Sequence, residues 1–493
     1  MYIVALDIGT GGLHVAVYQK SGHLLADTYK VFTYSSDSFP RSLVFSPEEL
    51  FADAMDQINI ALARAAVSED GEFIFCITGQ RHGSVFLDER MTPVLAVANL
   101  DGRVDEETAQ VFQNESSRIY EVCGRLPSEI FPAMRLYWME RHQKELYNRI
   151  RGFLMINEWF AYRLCGTPYA EKTSVSESLL FDVSREMWSD EMALLFGQDH
   201  LERWPVVDPG TIVGTVSNEV VAEYRLSHRS LVSLGAGDTQ CAAVGSRAFE
   251  SGDIVIVNGS TTPVVMVTEA LTPDPARTTW ANLYDGKRFL IESNAGRTGM
   301  VYRDVMRMLA CQDLPEADIR AVFDAERFGV SAVLVPDPYR SVDFLGYRSG
   351  VLFNGDPVPM MHLLPYLVLE NTAFAIAAHV DKLRQVSGTE VRKVFLTGGS
   401  SRSPLTQTIV SVLLERFPLY LTSTYDTTAK GASMMALAER DDRIPLDEVF
   451  SEADSMHAAK PLEIDLKRAL ADLIRARYDW WKKSIQGKHG VGA

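Results

Sequence analysis

Two stretches of the chain share one pattern of apolar and polar positions: residues 3–18, IVALDIGTGGLHVAVY, and residues 254–269, IVIVNGSTTPVVMVTE. Each is an apolar run, a short turn of small polar residues and a second apolar run, which predicts a strand–turn–strand hairpin. The first turn is Asp7, Ile8, Gly9, Thr10, Gly11, Gly12; the second is Asn258, Gly259, Ser260, Thr261, Thr262. Such turns aim successive backbone N–H groups and small hydroxyls at one point and so make a concave anion site. Glycine lets the backbone come close because no Cβ stands in the way. One turn in each half of the chain predicts a pair of related domains gripping one polyphosphate between them, and therefore a nucleotide enzyme.

The pattern between and beyond the hairpins predicts an α/β chain. Residues 1–34 read as a β-meander, with KSGHLL as its second turn. Ser46-Pro47-Glu48-Glu49 reads as an N-cap, a first-position proline and an acidic first turn. EFIFCITGQ and VLAVANLDGR are buried strands that end in polar loops, and helical stretches dominate residues 103–200. RSLVSLGAGDTQCAAVG and VRKVFLTGGSSRSPLTQTIVSVLL each run from a strand through a glycine turn into a helix. The expected division is residues 1–247, residues 248–440 and a mostly helical tail, 441–493. The changeover falls near Glu250-Ser251-Gly252, and the last residues, GKHGVGA, are expected to fray.

Composition trims the alternatives. A chain of 493 residues exceeds what one core supports, which agrees with two domains. A net charge of −17 argues against nucleic acid or an anionic membrane as partner. The five cysteines, Cys76, Cys123, Cys165, Cys241 and Cys311, lack ligand spacing, so neither a zinc site nor a disulfide framework is expected. The chain enters a strand at once, without a basic and apolar leader, and no apolar run reads as membrane-spanning. A cytoplasmic protein is expected.

Polar loops at the ends of buried strands are where open α/β sheets hold ligands, so the chemistry is sought there. Asp7 beside a phosphate cradle implies a bridging Mg²⁺, held partly through water; alone it reads equally as an Asp capping its own turn. Asp238, in Gly235-Ala236-Gly237-Asp238-Thr239-Gln240, is placed to take a proton from an attacking hydroxyl, or to cap a helix. Arg81 and His82, in GQRHG, offer a donor fork and a ring nitrogen suited to the hydroxyls of a small polyol. Asp101 and Arg103, in NLDGR, read as a substrate contact or as an ion pair tying their loop. Gly398-Gly399-Ser400 reads as a nucleoside seat or an ordinary tight turn.

In order and spacing these clusters resemble the FGGY family of carbohydrate kinases over nearly the whole chain. DIGTGG is similar to the family's first phosphate motif and NGSTT to its second. GAGDTQ resembles the segment with the catalytic aspartate, here Asp238. TGGSSRSPL followed by DTTAKGAS resembles the adenosine-side motif, and PAMRLYWM a family signature with Arg135 in place of lysine. His82-Gly83 is similar to xylulokinases, Gln80-Arg81 to glycerol kinases, and ANLD and GDTQ to autoinducer-2 kinases. Asn354 and Asp426 depart from the family pattern.

The resemblance implies two ribonuclease H-like (actin-type ATPase) domains with a cleft between them, using ATP and Mg²⁺ to phosphorylate a small sugar or polyol, foremost a ketopentose such as xylulose. It further implies Asp238 as base and Asp7 with Asp238 as the magnesium-organising pair. Thr10, Gly11, Gly12, Gly259, Ser260 and Thr261 would meet the phosphates; Gly399, Ser403 and Gly299 would line the nucleotide site. Arg81, His82, Asp101 and Thr239 would hold the sugar. A homodimer is compatible with the resemblance. The rival of another class is a nucleotide-switched binding protein of the actin type, which would need a polymer interface or a peptide-binding domain that the short helical tail does not supply.

Overall fold

The computed structural model describes residues 1–68, 71–310, 330–335, 350–353, 358–422, 426–441, 444–450, 460–461 and 468–485. The opening meander forms as the alternation predicts: β1 (Tyr2–Ile8), β2 (Gly12–Gln19) and β3 (Leu24–Val31) are antiparallel neighbours. Helix α1 (Pro47–Arg64) starts where the sequence places it, with the Ser46 side chain accepting from the Glu49 amide and Pro47 in the first turn. The chain returns as β4 (Phe73–Gly79), parallel to β1 and buried at every position. A strand buried on both faces belongs in the middle of a sheet with layers on either side. Strands β5 (Ile212–Thr215) and β6 (Leu231–Gly237) complete a sheet of order β5-β6-β4-β1-β2-β3.

The second half repeats the plan. Strands β7 (Asp253–Val257), β8 (Pro263–Thr268), β9 (Trp280–Leu283) and β10 (Phe289–Asn294) form an antiparallel set. Strand β11 (Lys393–Thr397) then lies parallel to β7 as β4 does to β1. With β12 (Leu419–Leu421) and β13 (Lys460–Pro461) the order is β9-β10-β8-β7-β11-β12-β13. The α/β architecture of two sheets flanked by helices is the one expected.

One face of the first sheet, including Val4, Leu6, Phe75 and Ile77, packs on α1 and on Trp159 and Phe160 of helix α2 (Ile156–Cys165). The opposite face, with Ile3, Ala5 and Cys76, shares a core with Val255 and Val265 of the second sheet. Helices α3 (Asp238–Gly245) and α4 (Thr427–Arg440) lie in this shared layer. They touch backbone to backbone: a Cβ at Gly245 would overlap the Thr427 carbonyl, and one at Gly431 the Cys241 carbonyl. Only glycine permits that approach, and it lets the two helices pack closely in the layer between the sheets.

The run Met361–Ser387 is, by length and composition, apolar enough to cross a membrane, which the sequence reading did not anticipate. Its most apolar 18 residues are buried and form the core helix of the second sheet's outer layer, with Phe374 packed on Tyr478 and Trp481 of the helix Arg468–Ile485. That last helix carries the YDWWKK segment; GKHGVGA and Asn354 lie outside the described residues.

Candidate active site

The first hairpin turn is shaped by its glycines. The Gly9 amide donates to the Gly12 carbonyl at 3.0 Å, and a Cβ at Gly12 would lie 2.5 Å from the Lys30 carbonyl and 2.6 Å from the Tyr29 hydroxyl. Asn99 holds Thr10, its side-chain amide donating to the threonine hydroxyl at 2.8 Å. In the second turn the Gly259 amide donates to the Thr261 carbonyl at 3.1 Å. The Thr262 hydroxyl bonds Asn258 Oδ1 at 3.1 Å and the Thr298 hydroxyl at 2.6 Å. The two turns face each other: a Cβ at Gly11 would come within 3.9 Å of both Ser260 Oγ and Arg303 Nη1. Arg303 donates to Ser260 Oγ at 3.1 Å.

Both turns open into one cavity of about 360 Å³ between the sheets. Asp7, Thr10, Gly11, Gly12, Arg81, His82, Asp238, Thr239, Gly259, Ser260, Thr261 and Gly399, all singled out from sequence, line it. Asp238 opens α3 directly after β6, with Gly237 rather than Asp238 in the N-cap position. Its Oδ1 accepts from the Thr239 amide at 2.6 Å and the Thr239 hydroxyl at 3.1 Å, and Arg81 Nε stands 3.6 Å away. Burial raises its pKa, with Arg81 and the Thr239 bonds working the other way. Asp7 sits near the end of β1 with its Oδ1 buried and without a hydrogen-bond partner. Burial, then the nearby Asp238 charge, push its pKa up to about 8. A buried carboxylate with an unpartnered oxygen and a second carboxylate nearby fits a hard divalent cation that keeps its waters and meets phosphate oxygens. Among the described residues no cluster of three or more His, Cys, Asp or Glu competes as a metal site.

Three expected residues stand apart from the cavity lining. Asp101 is fully buried; one oxygen takes the Leu43 amide at 2.7 Å, and both face Arg103, at 2.7 Å from Nε and 3.0 Å from Nη2. It is the loop tie that the sequence left open. Ser403 caps the helix Pro404–Leu413, accepting from the Thr406 amide at 3.3 Å. Gly299 backs the second turn, where a Cβ would overlap the Gly259 carbonyl.

Arg81 lines the cavity with its fork already occupied. Its Nη1 and Nη2 donate to Glu292 Oε2 and Oε1 at 2.6 and 2.7 Å, and Nη1 also reaches Glu177 Oε1 at 3.3 Å. Burial disfavours the guanidinium charge, but Glu292 and Glu177 outweigh it and raise the Arg81 pKa. His82, held at a left-handed φ of 68°, places Nε2 2.8 Å from Glu177 Oε2. Sequence reading missed Glu177, Glu292, Arg125, Asn282, Trp280, Tyr29 and Arg303. A lone glutamate inside the apolar strand FLIESN was the one visible signal, since a buried carboxylate requires a partner.

Residues 2–245 match the model of the FGGY family of carbohydrate kinases, N-terminal domain. Over 98% of its length the chain is 32% identical to the sugar kinase YoaC of Bacillus subtilis (strain 168), covering 96% of that protein. The chain belongs to the FGGY family of carbohydrate kinases. An autoinducer-2 kinase of Klebsiella pneumoniae subsp. pneumoniae is 24% identical over 88% of this chain and 85% of its own length. Among solved structures, the ligand-bound xylulose kinase from Lactobacillus acidophilus superposes with a TM-score of 0.82 at 15% identity, over 99% of this chain and 98% of that one. The FGGY fold is thus present throughout, and the chain is a carbohydrate kinase. In this FGGY kinase the paired glycine turns and the two aspartates converge on one cavity, the arrangement a phosphoryl transfer from ATP requires.

Proposed function

We propose that this chain transfers the γ-phosphoryl group of ATP to a primary hydroxyl of a small sugar or polyol, with a ketopentose such as xylulose as the leading acceptor. The observation that carries this reading is the shared cavity: Asp238 and both glycine turns line it, one turn from each sheet. Asp238 orients the acceptor hydroxyl and takes its proton. Its Oδ1 is pinned by Thr239, which leaves Oδ2 for the acceptor. The amides of the two turns cradle the β- and γ-phosphates, with Arg303 between them, and Gly399 borders the nucleoside end. Asp7 and Asp238 would hold Mg²⁺, which when bound neutralises phosphate charge. Residues 1–247 and 248–440 act as the two jaws, and the helix Arg468–Ile485 braces the second. Closing them excludes water, the competing acceptor.

His82, Asn99 and Thr239 beside Trp280 and Ile130 give the Asp238 end both hydrogen-bonding and apolar faces, suited to a short polyhydroxy chain. The likeness of His82-Gly83 to xylulokinases supports the ketopentose. A second acceptor class, the autoinducer-2 type, is favoured by the relatedness, over 88% of this chain, to a protein of that name. Coupled ADP release over a panel of sugars decides among them. Asp238→Asn is expected to lower kcat by about 10³-fold while ATP still binds. Near-normal turnover in that variant, or ADP release at full rate without any acceptor, rejects the proposal, the latter in favour of a nucleotide switch.

A further inference from the structure

Beneath the Asp238 end of the cavity lies a closed ring of charged groups drawn from both sheets. Arg81 is bidentate on Glu292, at 2.6 and 2.7 Å, and touches Glu177 at 3.3 Å. Arg125 pairs with Glu177 through Nη1, donates to Asn282 Oδ1 at 2.7 Å through Nη2, and to the Cys123 carbonyl at 3.1 Å through Nε. Asn282 Nδ2 donates to Glu292 Oε2 at 2.8 Å and closes the ring. His82 joins it at Glu177 and is neutral near pH 7, burial having pushed its pKa down to about 4.

We propose that this ring makes the site select uncharged sugars and polyols against the corresponding sugar acids, with Glu292 as the specificity-determining residue; the inference rests on the phosphotransferase reading above. A substrate carboxylate at this end would face Asp238, with Glu177 and Glu292 buried behind Arg81, while Arg81, which lines the cavity, already spends its terminal nitrogens on those two glutamates and Arg125 lies behind the lining. It would lose its hydration without gaining a cation, which penalises it strongly. A hydroxyl meets no such penalty, because His82, Asn99 and Thr239 exchange hydrogen bonds with neutral groups. The other arginine lining the cavity among the described residues, Arg303, stands at the glycine turns. Replacing Glu292 by glutamine keeps the shape, removes the charge that holds the Arg81 fork and releases a guanidinium nitrogen for an acid.

The test compares D-xylulose and D-ribulose with D-xylonate and D-ribonate, by calorimetric binding in the presence of a non-hydrolysable ATP analogue and by ADP release. The wild type is expected to favour its best neutral acceptor over either acid by about 100-fold or more, and Glu292→Gln to narrow that ratio about tenfold, through tighter binding of the acid. An acid bound or turned over by the wild type within about threefold of the neutral sugar overturns the inference and leaves the phosphotransferase reading standing. A well-folded Glu292→Gln protein that gains nothing toward acids also overturns it. Should that variant not fold, the wild-type ratio decides alone. Neutral-only binding without any turnover upholds the charge selection and rejects the phosphotransferase reading. Binding of neither class rejects both.

Discussion

The amide of Gly237 donates to the Thr173 hydroxyl across 2.9 Å, although 64 residues separate them in the chain. That bond holds the Ala236–Gly237 peptide, one residue before Asp238. The carbonyl of that same peptide, from Ala236, accepts from Thr78 Oγ1 at 2.6 Å, and the Gly235 carbonyl of the peptide before it accepts from Asn157 Nδ2 at 3.4 Å. The sheet register breaks between Leu234 and Gly237, so side chains replace the ladder bonds just where the aspartate must be aimed. Thr173 is itself anchored, donating to Glu171 Oε2 at 2.7 Å.

Thr173 is therefore expected to position the base. Thr173→Val removes both bonds and should lower kcat about 10–100-fold with the KM for ATP within about twofold. Thr173→Ser should restore most of the loss. Steady-state ADP release with saturating acceptor checks this; a loss confined to KM would place the effect in binding instead.

Asp7 is expected to act through the cation. Its unpartnered Oδ1 and raised pKa mark a carboxylate that gains from one. Asp7→Asn should weaken binding of the magnesium complex of an ATP analogue about tenfold or more, and leave metal-free binding within about twofold. Calorimetry with Mg²⁺ and with a chelator separates the two.

Gly299 is expected to tolerate no side chain. A Cβ there would lie 2.1 Å from the Gly259 carbonyl oxygen, so Gly299→Ala must push the second turn out of line. Overpacking of this kind costs about 1–3 kcal/mol and displaces the backbone. Urea unfolding should register the stability loss, and nucleotide titration an ATP affinity reduced about tenfold.

His82 supplies a pH dependence of stability. Burial lowers its pKa from the ordinary 6.5 to about 4, with the Glu177 hydrogen bond opposing. Between those values the unfolded chain binds a proton there that the folded chain lacks. This contribution is therefore whole above the unfolded value and is lost as pH falls toward the folded one. By pH 5 the loss amounts to about 2 kcal/mol. The urea midpoint should fall more steeply from pH 7 to 5 in the wild type than in His82→Gln; parallel curves would remove His82 as the cause.

Much of the site was legible because it is built from local pattern. An apolar run, a turn of small residues and a second apolar run can fold only as a hairpin, so Thr10–Gly12 and Gly259–Thr261 stand where the sequence places them. Asp238 was legible for the same reason, at the end of a buried strand in a turn too bare for side-chain packing. Asp101 was legible only as one of two alternatives and Ser403 was read as a nucleotide contact alone, since a serine before a proline and an Asp-x-Arg pair look the same whether they meet a ligand or the backbone.

The chain's own residue order determines the two hairpins, the strand–turn–helix junctions and the cleft they imply, because backbone conformation and hydrophobic period act over a few residues at a time. Which charges meet was decided only by the tertiary structure. Arg81 and Glu292 are 211 residues apart, and Glu177 joins them from a third segment. Nothing in the period of any one segment records such a pairing; it exists because burial leaves each charge no water and the packed sheets bring these partners within reach.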